Sequence, residues 1–171
     1  TPWSGRHPHL TPLSSRTQRR FNPIGALALL VAAACTQRPA EVPAERVAPS
    51  LRAAVDRGPL AVSDALEALI AEGRDSEQDR GYAYQIVARQ PVRDAADAFA
   101  RAAVAGRLAQ QSGLGAPSLV KQAERFARSS MKMDRDFRQG AAQRLLGTLY
   151  VLAPALMLEH GDSETGRELL E

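Results

Sequence analysis

Cysteine is nearly absent from this sequence: Cys35 stands alone among 171 residues. An intrachain disulfide and a cysteine-built metal site are therefore both closed to the chain. Lysine is almost as scarce, with only Lys121 and Lys132, so the positive charge rests on arginine. Aromatic residues make up 5% of the chain. Runs of β-branched residues are missing too, which argues against a core built from sheets. Alanine and leucine dominate instead, and that composition favours helices.

Signatures of catalysis are lacking as well. There is no Gly-rich phosphate loop, no EF-hand loop and no zinc-ligand spacing. His160-Gly161-Asp162-Ser163 carries the G-D-S lettering of some lipases. That block requires a preceding strand, a hydrophobic residue after the serine and a distant Asp–His pair, whereas Glu164 follows here and the chain soon ends. Glu159 and His160 lack two further ligands at metal spacing. Asp75, Glu77, Asp79, Asp134 and Asp136 read as cap and turn carboxylates. The chain is therefore read as a non-enzyme with no cofactor and no metal.

What is present begins with a targeting segment. The formal charge is +3, yet Arg6, Arg16, Arg19 and Arg20 supply +4 before Cys35 with no acidic residue among them, leaving −1 on the remainder. The excess positive charge thus marks a leader and not a nucleic-acid surface. Arg16, Arg19 and Arg20 precede the apolar run Ile24–Ala34, eleven residues long. A bilayer span takes about 20 residues, so the run fits the h-region of a signal peptide. Ala32-Ala33-Ala34-Cys35 resembles a bacterial lipobox, with Ala32 where that pattern prefers leucine. The resemblance implies that Cys35 becomes the lipidated, palmitate-bearing N-terminus. Thr36 in place of aspartate implies sorting to the outer membrane. The alternative is an ordinary signal peptide cut near Ala34. The chain opens on Thr1 and stops within a helical pattern, so it is read as clipped or mis-started, with residues 1–34 as the signal peptide and 1–15 of these as a spurious extension.

Residues 35–50 are polar and proline-rich and read as a flexible tether. A helical domain is expected over 51–171. The pattern predicts helices from about Leu51 to Arg57, Asp64 to Glu72 with Asp64 as cap, Ser76 to Arg89 with Ser76 as cap, Val92 to Gln111, and Ser118 to Met133. Asp97 and Arg101 are spaced for an ion pair in the fourth. The fifth carries a basic face of Lys121, Arg125, Arg128 and Lys132. Met131 and Met133 there are either core filler or a partner contact.

The last stretch, Phe137 to Glu171, holds a helix ended by Pro154 and a second short helix from Glu164. Leu146, Leu149, Tyr150 and Ala153 share one face of the first. Gly147 lies where the second must approach closely, and Gly166 is the nearest small residue to meet it. Gly161 opens a turn and Asp162 or Ser163 caps the second helix. Leu146-Gly147-Thr148-Leu149-Tyr150 resembles the L-G-x-x-Y core of a tetratricopeptide repeat, and Ala123 and Ala127 match the small-residue spacing of that repeat's second helix. Residues 92–171 then read as two repeats with enlarged inner loops, Ser112–Pro117 and Ala155–Ser163. Leu156, Met157 and Leu158 in the second loop either fold back onto the core or form a partner contact.

Together with the lipobox, Leu146, Gly147, Tyr150, Ala153, Pro154, Gly161, Asp162 and Leu169 resemble the tetratricopeptide lipoproteins known as the T component associated with tripartite ATP-independent periplasmic (TRAP) transporters. That resemblance implies an all-α fold of helical hairpins in a short right-handed superhelix, continuing into further repeats. It implies a lipid-anchored periplasmic scaffold that docks a protein partner such as a solute-binding protein, with homo-oligomers open to it and no nucleic acid involved. The other binding role that fits is an outer-membrane or cell-envelope assembly scaffold.

Overall fold

The computed structural model describes residues 41–113 and 116–171. Cys35, the leader and the start of the tether lie outside the described residues. Every regular element within them is helical: α1 (Pro49–Ala54), α2 (Pro59–Ala71), α3 (Glu77–Arg89), α4 (Ala95–Ser112), α5 (Pro117–Met133), α6 (Ala141–Leu152) and α7 (Ser163–Leu170).

Three of these helices begin with proline in the first turn: Pro49, Pro59 and Pro117. Proline costs nothing there, because the first N–H groups of a helix have no partner within it and its fixed φ is already helical. This corrects the expected starts. Helix α2 begins at Pro59 behind Gly58, whose φ of +99° suits glycine. Asp64, expected as its cap, stands in mid-helix instead. Ser76 does cap α3, in a reciprocal box with Asp79. Asp94 caps α4 by accepting from the Asp97 N–H at 2.8 Å, so this helix starts later than Val92.

The expected Asp97–Arg101 pair is also corrected. Asp97 pairs with Arg93 at 2.9 Å. That hydrogen bond, outweighing burial, holds the Asp97 carboxyl below the usual carboxylate range. Arg101 turns the other way and donates to Val87 O at 3.1 Å, Ala88 O at 2.7 Å and Gln90 O. The end of a helix leaves carbonyls without intrahelical partners, and these draw the guanidinium away from Asp97.

The packed unit begins before Leu51. Val47 is buried and Val42 packs beside it on the first core cluster, with Leu51, Leu66 and Val87. Ala48 N–H donates to the buried Asp79 carboxylate at 2.8 Å. The last residues assigned to the tether therefore belong to the fold.

The helices pack as consecutive pairs, α2 with α3, α4 with α5 and α6 with α7. The first helix of each later pair also packs on both helices of the pair before it: α4 on α2 and α3, α6 on α4 and α5. The array thus holds a pair ahead of residue 92, beyond the two expected. Helix α4 lies at its centre, and Ala98, Ala100, Ala102 and Ala105 are fully buried in it. Alanine there lets neighbours approach on several sides. A Cβ on Gly106 would come only to 4.0 Å from Ala123 Cβ, and the buried Ser130 hydroxyl donates to Ala95 O at 2.8 Å. Both ends of the expected loop Ser112–Pro117 are helical, since α4 runs to Ser112 and α5 starts at Pro117.

Candidate functional site

Two features set the site: a lock that fixes the loop between α6 and α7, and a groove that this loop helps to wall. The lock starts from the glycines of the last pair. A Cβ on Gly147 would lie 2.8 Å from Leu170 Cγ and 2.9 Å from Gly166 O, and one on Gly166 would lie 2.8 Å from both Gly147 O and Tyr150 Cβ. The two glycines form one reciprocal crossing, and Gln143 Nε2 donates to Leu169 O at 3.0 Å farther along it. Gly161 lies flat against the Tyr150 ring with no room for any side chain.

Tyr150 and Leu146 are buried with Ala127 and Ala102, and Leu158 and Leu169 pack over them. The Tyr150 hydroxyl donates to Glu124 Oε1 at 2.8 Å. Glu124 is 0% exposed, so its carboxylate needs partners wherever it can find them. It takes the backbone N–H of Glu159 at 2.7 Å and of His160 at 2.8 Å, and His160 Nδ1 lies 3.3 Å away. Burial, and next the hydrogen bond to Glu124, push the Tyr150 phenol above its usual pKa, against an opposing pull from Arg128. The loop of residues 153–162 is thereby fastened to α5. Lys121 adds an exposed contact to Glu159 at 3.5 Å. Asp162 caps α7 by accepting from the Thr165 N–H at 2.9 Å, which holds its carboxyl below the usual range.

Glu124 was not singled out from the sequence, although the signal was present. Val120, Ala123, Glu124 and Ala127 follow the i, i+3, i+4, i+7 spacing of a buried stripe, and all four are buried. A lone carboxylate in such a stripe needs donors, and the adjoining loop supplies them.

The groove holds about 730 Å³. Its walls come mainly from the first helix of each pair, Asp64 and Glu67 on α2, Phe99, Ala103 and Arg107 on α4, and Leu145, Thr148, Leu149 and Leu152 on α6, with Val120 added from α5. Ala153, Pro154 and Met157 close its edge. Phe99 meets Phe137 with ring centroids 5.7 Å apart at 56°. Glu67 pairs with Arg107 at 2.5 Å and Asp64 with Arg138 at 2.6 Å.

The remaining expected site residues fall as follows. Ala123 and Ala127 are buried between α5 and its neighbours. Leu156 is 94% exposed, while Met157 and Leu158 pack against core side chains. The three therefore do not form one surface, because the short 3-10 turn Ala155–Met157 rotates them apart. Met131 packs on the core and Met133 is exposed. Among the described residues no group of three or more His, Cys, Asp or Glu side chains could hold a metal, and no helix is long and apolar enough to cross a membrane. Compared with known protein families and with curated proteins, the sequence matches none.

Proposed function

We propose that this chain is a non-catalytic scaffold of the tetratricopeptide type that docks a protein segment in the groove of α2, α4 and α6. The observation that carries this reading is the groove itself. Stacked helical hairpins leave a continuous surface formed by equivalent helices, and such surfaces bind extended or helical segments. Here that surface has an apolar floor with ionic edges. A groove of this kind favours an amphipathic segment over a small polar substrate.

The finer reading is a lipid-anchored periplasmic protein, held at the outer membrane through Cys35, that assists solute transport by holding a solute-binding partner. Its support is the residue pattern from Leu146 to Leu169, which resembles the TRAP-associated T component, together with the lipobox. Leu152 is 68% exposed and Thr148 is exposed, and both line the groove. Leu152→Arg and Thr148→Arg should therefore abolish co-purification of an envelope partner while leaving helicity and melting temperature unchanged. Undiminished co-purification by both folded variants would refute docking in the groove.

A further inference from the structure

The groove is crossed by an ion pair that ties its first wall to its last. Asp64 stands in the middle of α2, and Arg138 in the turn leading into α6. The pairing is two-pronged, with Nη1 at 2.6 Å from Oδ1 and Nη2 at 2.7 Å from Oδ2. Between α2 and α6 lies α4, which packs on both, so the pair reaches over the helix at the groove's centre. Both residues line the groove.

Arg138 is held there by unusual backbone. Its φ is +49°, that of Gln139 is +59° and that of Gly140 is +78°. Two successive non-glycine residues in the left-handed region are strained, and such strain persists only where the surroundings hold it. Arg144 supplies part of that hold by donating to Arg138 O at 3.1 Å and to Gln139 O. The Asp64 and Arg138 side chains are 45% and 43% exposed, so water and a competing ion reach the pair directly. One turn along α2, Glu67 makes the equivalent contact with Arg107. The groove edge thus has arginines whose present partners are carboxylates of the chain itself.

We propose that Asp64–Arg138 is a strap that holds the groove closed, and that an acidic side chain on an apolar incoming segment opens it by taking Arg138 from Asp64. The proposal rests on the groove being the docking surface. The exchange needs no net charge transfer: the guanidinium leaves one carboxylate for another, and Asp64 returns to water. An exposed pair contributes little to stability, so the strap is broken without unfolding what lies beneath it. The occupant it selects is an apolar segment bearing a carboxylate: Arg107, Arg138 and Arg144 line the groove against only Asp64 and Glu67, so an incoming anion finds the excess charge that a cation or a neutral segment does not.

Two dyes separate opening from anion capture: Nile red, which is neutral, and anilinonaphthalene sulfonate, an apolar anion. Asp64→Asn should raise the affinity for both several-fold, since it opens the groove and leaves Arg138 free. Arg138→Gln should raise the affinity for Nile red alone. The swapped double variant Asp64→Arg/Arg138→Asp should return Nile red binding to the wild-type level. Raising salt from about 0.05 to about 0.5 M should mimic opening for Nile red in the wild type by screening the pair. Circular dichroism establishes that each variant is folded. Equal uptake of both dyes by wild type, Asp64→Asn and Arg138→Gln overturns the strap. So does a rise that survives the addition of Leu152→Arg, which puts the dye outside the groove. The partner co-purification described above tests the docking surface separately, so loss of the strap leaves that reading standing.

Discussion

Gly147→Ala sets two known effects against each other, and the geometry decides between them. Alanine is favoured over glycine in a helix interior by about 1 kcal/mol. Against this, the new Cβ would sit 2.8 Å from Leu170 Cγ, 3.0 Å from Leu170 Cδ2 and 2.9 Å from Gly166 O. Leu170 is near the end of α7 and half exposed, so it swings away cheaply. The Gly166 carbonyl cannot, because it belongs to the backbone of the opposing helix, and α7 must slide by several tenths of an ångström. Overpacking of this kind costs about 1–3 kcal/mol. The net change should be a destabilisation of about 1 kcal/mol, which lowers the melting temperature by ~3–5 °C in a domain of this size. Gly106→Ala is the matched control. Its Cβ meets nothing nearer than Ala123 Cβ at 4.0 Å, so only the propensity gain operates and the melting temperature should rise. Thermal melts followed by circular dichroism at 222 nm read both. If the two variants are stabilised alike, α6 and α7 do not cross at Gly147 and Gly166 as described.

Four further outcomes follow from the same geometry. Glu124→Gln replaces an acceptor-only carboxylate by an amide whose NH2 must face the Glu159 or His160 N–H; chemical denaturation should register a loss of about 3 kcal/mol, against less than about 1 for the exposed Glu159→Gln. Because the folded-state pKa of Tyr150 is raised, the stability tied to its neutral phenol is full below the unfolded value of about 10 and is lost as pH climbs above it; the ultraviolet titration of wild type minus Tyr150→Phe should therefore show a phenol ionising above pH 10, and a difference curve centred at or below 10 would count against the buried hydroxyl. Leu156→Ser should leave the melting temperature within about 1 °C, since the side chain is 94% exposed, whereas Leu158→Ser should lower it by several degrees. In a Gram-negative host the mature protein should incorporate radiolabelled palmitate and Cys35→Ser should abolish the label; recovery of the wild type as an unlabelled soluble protein would dismiss the lipobox reading.

The parts legible in the sequence were those governed by local rules. The Ser76 cap, the stop at Pro154 and the cap at Asp162 depend on residues within one turn of each other. The close approach at Gly147 was legible because a mid-helix glycine is disfavoured without a packing reason. What escaped depended on partners distant in the chain. Asp97 and Arg101 have ion-pair spacing, but the carbonyls at the end of α3 attract Arg101 more strongly, and no pattern within α4 records them. Pro59 and Pro117 fall outside the expected helix ranges, although the same φ restriction that breaks a helix interior suits its first turn. Val42 and Val47 sit among prolines and charges, so local composition read them as tether, while long-range burial against α3 decides their place. The groove was invisible for the same reason: its walls are three helices brought side by side only by the fold.

The lock and the groove are coupled through one short segment. Residues 153–162 wall the groove with Ala153, Pro154 and Met157, and the same segment surrenders its Glu159 and His160 N–H groups to Glu124. Glycine at 161 then lets it lie on the Tyr150 ring, whose hydroxyl meets the same carboxylate. A loop of this length on a helical array would ordinarily be mobile or free to vary. Here its backbone donors are spent on a buried charge, so moving it would strand that charge without partners in an apolar interior. The edge of the groove at α6 is consequently fixed, and α2 at the opposite edge is held by its packing on α3 and α4 and by the Glu67–Arg107 pair, so the part free to give way is the exposed Asp64–Arg138 side-chain pair. A segment docking there would therefore meet two fixed walls, and what yields to it would be the side-chain strap between them.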